Sequence, residues 1–224
     1  MSFRFVTTVL TLGLIVPVFA MSDISDDVAR VDHSNQVFQE IMHSPDNAIP
    51  TEVLHNAHCI AIVPGEKSAA LGIGGIYGKG VATCRDDGAW SAPMFIQISG
   101  ASLGVQLGGE STDVIMVFRT RQGLESLLTD KVKIGADVSA AAGPVGRDAG
   151  ASTDAAEILT YARGRGAFAG VSLDGGMVQA DGSADTAMYA DATWKAILSG
   201  TVASPDSTHA LLATLDTYSA SNKY

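Results

Sequence analysis

The sequence predicts an α+β protein, with a Gly-rich, curled, mainly antiparallel β-sheet or barrel-like core and helices packed on it from the N- and C-terminal ends. Three observations carry that expectation. Near the two ends of the chain apolar residues recur at spacings of three and four, the period of an amphipathic helix. Between them lie short β-rich runs punctuated by glycine and tight turns, the pattern of antiparallel strands. The composition is 46% hydrophobic but only 6% aromatic, with 24 glycines in 224 residues, so segments approach one another through small side chains. This length suits one domain with helical additions.

The first twenty residues read as a leader outside the fold. They hold one charge, Arg4, then an apolar run from Val6 to Phe19, and end on Val18-Phe19-Ala20. That is the plan of a secretory signal peptide cut after Ala20; an uncleaved membrane anchor is the alternative. No Cys stands near the cut, which argues against a lipid-anchored form. The chain then divides into a signal peptide (1–20), an N-terminal helix (21–50), a central β-rich domain (51–200) and a C-terminal helix (201–224). Export places the protein in the periplasm or the secreted fraction.

From Ser22 to Ser44, Ile24, Val28, Val31, Val37, Phe38, Ile41 and Met42 mark one helix face. The opposite face carries Asp23, Asp26, Asp27, Asp32 and Glu40 against Arg30 alone, the wrong sign for a helix lying on an anionic membrane. Pro45 and Pro50 bracket a turn, and Thr51 is placed to cap a short helix. Strands are expected at CIAIVP, AALGIGGIYGKGVATC, MFIQISG, SLGVQLGG and DVIMVF, as a meander with turns such as Asp87-Gly88. Glycine inside a strand marks a bulge, a bend or a neighbouring backbone, and so many of them predict a sharply curled sheet. TRQGLESLLTD is a short helix with Leu124, Leu127 and Leu128 inward. In KVKIGADVSAAAGPVG, Val132, Ile134, Ala136 and Val138 alternate as in a strand. AEILTYAR and GAFAGVSLDGGMVQA read as two more strands, and Asp185 as the cap of a helix ending at Gly200. The last helix places Leu211, Leu212, Leu215 and Tyr218 on one side.

Loss of the leader takes the net charge from −10 to −11. A chain this acidic does not bind nucleic acid by counterion release and does not dock on an anionic membrane through bulk electrostatics. An anionic ligand requires a local basic patch. Arg119, Arg121, Lys131, Lys133, Arg147, Arg163 and Arg165 fall in one stretch, separated by glycine-rich turns whose N–H groups suit a phosphate. Arginine adds bidentate contacts to phosphate oxygens. The opposing view is a solvated surface, balanced by Glu125, Asp130, Asp137, Asp148, Asp154 and Glu157. Cys59 and Cys84, an even count in an exported protein, read as one disulfide, with two buried thiols as the alternative.

Three motifs suggest chemistry and fall short. GASLG at 100–104 matches a nucleophile elbow with Ser102 as nucleophile, but that motif needs a helix after the turn and the following residues are strand-like. GRGAFA at 164–169 fits a loose dinucleotide pattern yet opens another strand. His55, His58 and Cys59 have i, i+3 spacing but no further ligands at suggestive spacing. The sequence therefore predicts no enzyme, no catalytic residue, no metal site and no cofactor.

CIAIVPGEKSAALGIGGIYGKGVATCR, GAWSAPMFIQISGASLGVQLGGESTDVIMVF, GADVSAAAGPVGR and AEILTYARGRGAFAGVSLDGG, in that order, resemble the SYLF-domain family from about Pro50 to Ile197. The GPVGR and FAGVSL strings make the resemblance specific. It implies a β-rich α+β domain without a settled catalytic role that binds phospholipids; eukaryotic members bind phosphoinositides and some bind and bundle actin through an amphipathic or basic N-terminal stretch. The N-terminal helix here is acidic, which argues against actin. The expectation is thus a non-enzymatic phospholipid-binding module of the bacterial cell envelope. Its expected partners are phospholipids or a membrane surface, met through Arg147, Arg163, Arg165, Lys131 and Lys133. The alternatives are an envelope structural or partner-binding protein with incidental lipid affinity and, remotely, a Ser hydrolase at Ser102.

Overall fold

A computed structural model describes residues 23–44, 48–65, 75–86, 88–101, 113–129, 140–143, 156–164, 167–170 and 176–220. Helix α1 (Ile24–Met42) starts where Asp23 caps it, its carboxylate accepting from the Ser25 N–H. The short α2 (Thr51–His55) begins with Thr51 already helical and Pro50 in the cap position, a correction to the expected Thr51 cap. The proline ring presets the backbone for helix entry, and a residue before the first turn needs no N–H.

Among the described residues nine strands follow. They are β1 (Cys59–Val63), β2 (Gly75–Asp86), β3 (Ala89–Trp90), β4 (Met94–Ala101), β5 (Asp113–Phe118), β6 (Ala140–Ala142), β7 (Ile158–Gly164), β8 (Ala167–Gly170) and β9 (Gly176–Ala180). They form one sheet in the order β6-β7-β5-β1-β2-β4-β9, with β3 beside β2 and β8 beside β7. All pairs are antiparallel except β6 with β7. The architecture is the predicted α+β class. Among the described residues the sheet is open, since β6 and β9 do not pair to close a barrel. Nor is it a simple meander: β5 returns to the far side of β1, and β9 crosses to pair with β4. The GAFAGVSLDGGMVQA run, expected to be one strand, supplies both β8 and β9, which pair with different neighbours. Of the GADVSAAAGPVG stretch, only β6 and Gly143 lie in the described residues, as does none of SLGVQLGG.

Side chains alternate across the sheet. One face carries Cys59, Ala61, Met94, Ile96, Met116 and Phe118, and α3 (Arg121–Thr129) packs there, with Gly123 beside Phe118. Ile60, Ile62, Val81, Phe95, Ile115 and Tyr161 share the other face. β1 and β5 are buried at every position. Helices α4 (Gly182–Tyr189), α5 (Trp194–Leu198) and α6 (His209–Ser219) complete the fold, α6 packing on α1 through a Phe38–Tyr218 edge contact. The helix expected to run unbroken to Gly200 is two, because Ala190 takes a positive φ of 54° and Thr193 caps a new start.

Cys59 and Cys84 are directly opposed on β1 and β2 and joined by a disulfide, with Cα atoms 4.0 Å apart. The Arg85 N–H donates to the His58 carbonyl beside them, which makes 59–84 a non-hydrogen-bonded pair, the closer of the two antiparallel spacings. The bridge closes a loop with a sequence separation of 25. Its loss is expected to cost about 3 kcal/mol in the chain-entropy account. Thiol titration of denatured, unreduced protein should find no free thiol, and denaturant midpoints should fall on reduction. Two titratable thiols would overturn the bridge.

Candidate functional site

The predicted basic cluster is the natural starting point. Lys131, Lys133, Arg147 and Arg165 lie outside the described residues, as does Ser102. Arg163 is described, and it is engaged. Register places it opposite Asp113 across β5 and β7, its Nη2 lies 2.6 Å from an Asp113 oxygen, and its Nη1 donates to Glu40 of α1. Burial lowers the Arg163 pKa and raises that of Asp113, against the hydrogen bond Asp113 accepts from the Gly65 N–H. Arg163 thus ties the C-terminal part of α1 to the sheet.

At its N-terminal part α1 is held by a second charged seam. Arg30, 8% exposed, donates to Asp27 at 3.0 Å and to Asp181 at 3.1 Å, and its guanidinium lies over the Phe95 ring. Lys79 of β2 pairs with the same Asp181 oxygen at 3.0 Å. Burial works to raise Asp181, but hydrogen bonds from Ser183, Lys79 and Arg30 outweigh it and hold the carboxyl below its ordinary value. Asp185, expected as a cap, is instead a buried first-turn residue of α4 that accepts the Phe95 N–H at 2.7 Å. Burial, then the nearby Asp181 and Asp27 charges, push it up to about 7.

A third junction forms at Arg85. Its guanidinium donates to the carbonyls of Leu54, His55, Ala57 and Ser219 and lies 4.8 Å from the Trp90 ring centroid. It thereby adds donors to carbonyls at the end of α2, where the helix supplies few of its own, and anchors α6. Beside Trp90, a shallow groove of about 260 Å³ is lined by Ser91, Ala92, Ser199, Val202 and Ser204. Tyr77 is 58% exposed on the sheet face it shares with Ser99 and Met177. His55 and His58 are exposed, Cys59 is in the disulfide, and among the described residues no group of three side chains is arranged to hold a metal ion.

These arrangements can bind and hold; none of the described clusters places a nucleophile against a base. The three seams were not anticipated from sequence. Their one legible signal was Arg30, a lone cation on an otherwise acidic helix face.

Comparison with known proteins places this fold. A family model described as Ysc84, Las17-binding protein actin regulator, matches residues 99–218. The chain belongs to this Ysc84, or SYLF, family. It is similar to LAS seventeen-binding protein 3 of Saccharomyces cerevisiae, 35% identical over 190 residues that cover 81% of this chain and 40% of that protein. The protein YSC84 of the same yeast is also 35% identical over 190 residues, 81% of this chain and 39% of its own length. The human SH3 domain-containing YSC84-like protein 1 is 30% identical over 161 residues, 69% of this chain and 47% of its own. The chain thus spans less than half the length of these relatives. The first of these is named as a binding protein, and the family is described as an actin regulator.

The expected partners need correction. Phospholipids or a membrane surface, with actin set aside, do not stand against relatives named for Las17 binding and a family described as actin regulators. Of the five residues expected to meet a lipid, Arg163 alone lies in the described residues. Strand pairing sets Asp113 against that one guanidinium and helix packing adds Glu40.

Proposed function

We propose that this chain is an exported, non-enzymatic partner-binding module whose ligands are proteins, of the actin-regulating kind for which its relatives are named. One observation carries the reading: 35% identity over 81% of the chain to a Las17-binding protein. The described charges support it, because Arg30, Arg85 and Arg163 are spent on joining helices to the sheet, which makes a rigid scaffold. Export rests on the apolar leader of residues 1–20. The divisions at 21–50, 51–200 and 201–224 belong to the same proposal, with the central segment as the recognition domain.

Two binding measurements test it. Purified chain lacking residues 1–20 is sedimented with actin filaments and, separately, passed over immobilised Las17. Saturable binding to either probe, with Kd in the range of about 1 μM to 1 mM, is the expected result. A chain that stays in the supernatant and gives no Las17 signal would remove the reading. Mass spectrometry of the exported protein should begin at Met21; an intact Met1 would overturn the cleavage.

A further inference from the structure

The seam between α1 and the sheet holds more carboxylates than cations. Asp27 and Arg30 come from α1, Lys79 from β2, Asp181 from the end of β9, and Asp185 from α4. Arg30 and Lys79 are committed to Asp27 and Asp181. Asp185 takes part in none of these ion pairs; its named contact is the Phe95 N–H, and it is 4% exposed. The remaining neighbours are Ser183, which donates to Asp181, and Tyr189, whose hydroxyl donates to the Pro93 carbonyl. β4 adds only Phe95, without charge. An ionised Asp185 therefore faces two fixed carboxylates in a buried setting, Asp181 and, on α1, Asp27, whose repulsion outweighs the attraction of Arg30.

We infer that this seam is a proton-linked clasp: a proton on Asp185 keeps α1 closed on the sheet, and its departure loosens the N-terminal part of the helix. With that proton the seam holds two carboxylates against two cations, and the charges balance. Without it, a third buried negative charge repels Asp27 across the α1–α4 contact. The direction follows from linkage. Burial and the neighbouring carboxylates raise Asp185 to about 7 in the closed state, and opening returns it to the ordinary carboxylate range. The closed state binds the proton more tightly, so stability of the clasp is full at low pH and is lost as pH rises through the closed-state value. Asp181, held low, stays ionised throughout that window. Arg163 and Glu40 hold the other end of the helix, so the motion is a release of one end.

Hydrogen exchange on the full chain tests this. Amides of α1 from Val28 to Ser34 are compared with those of β1 and β5 at about pH 6 and about pH 8, after correction for intrinsic rates. One proton with this shift predicts an opening population about tenfold larger at the higher pH in α1; β1 and β5 open only by global unfolding, which also frees Asp185, so they shift by the same factor from a far smaller opening population. Asp185→Asn keeps the acceptor for the Phe95 N–H but removes the titration, and its α1 exchange should be flat with pH. Amides of α1 no less protected than those of β1 and β5, or no change with pH in α1, would overturn the clasp. So would an Asp185→Asn variant that retains the wild-type response. Should that variant not fold, the wild-type contrast between α1 and the strands decides alone.

Discussion

Gly80→Ala is expected to destabilise the protein by about 4 kcal/mol or more, in the extreme tail of single substitutions. A Cβ built at Gly80 would fall 2.1 Å from the Ile62 carbonyl oxygen and 2.7 Å from the Val63 Cα. Both obstacles are backbone, so no side-chain rotation relieves them. β2 cannot retreat either, because Gly80 is paired with Ile96 of β4 on its other side and the Cys59–Cys84 bridge pins the register with β1. What glycine supplies here is close approach rather than an unusual backbone angle. Urea unfolding at fixed m-value measures the effect. Gly182→Ala is the contrast: it lies exposed in the first turn of α4 with nothing within 4 Å of its Cβ position. Alanine there should raise stability by about 0.5–1 kcal/mol. A Gly80→Ala midpoint close to wild type would mean that β1 and β2 are not this close.

Arg30→Ala comes next in size, with an expected loss of about 3–5 kcal/mol. The substitution leaves Asp27, fully buried, and Asp181, 7% exposed, without the guanidinium that bridges them. It also strips the cation from the face of Phe95. The cost is that of stranding buried charge rather than of one lost attraction, since a buried pair is worth little beyond its own desolvation. Arg30→Lys should recover part of the loss, because an ammonium keeps the charge but cannot fork between two carboxylates. The deficit should also narrow as pH falls into the carboxylate range, where the stranded groups take up protons. A loss under about 1 kcal/mol at neutral pH, the size of an exposed pair, would show that the seam is solvated.

The helices were the most legible part of the chain. In α1 the spacing of Val31, Val37, Phe38 and Ile41 gave both the element and its buried face. Leu124 and Leu127 did the same for α3, and Leu211 and Leu215 for α6. β1, β4 and β5 were visible as short apolar runs bounded by turns. Periodicity says where a strand is, not which strand it meets, so the return of β5 to β1 and the passage of β9 to β4 were not visible. Asp185 shows the same limit in one residue. Its place before a helical pattern suggested a cap; its burial against Phe95 made it an acceptor for a strand N–H instead.

The sequence by itself determined the α+β class, the helices at both ends, the glycine-rich sheet and the family, because each rests on local composition, period or shared strings. Tertiary structure alone decided which charges are free. Arg163 reads as one of several cations available to an anion until strand register sets Asp113 opposite it and α1 brings Glu40 over it. Arg30 and Asp181 stand 151 residues apart and meet only because α1 crosses the sheet at the end of β9. Charge is a property of a residue, but its availability depends on burial and on what the fold places within a few ångströms, and neither quantity is local in sequence.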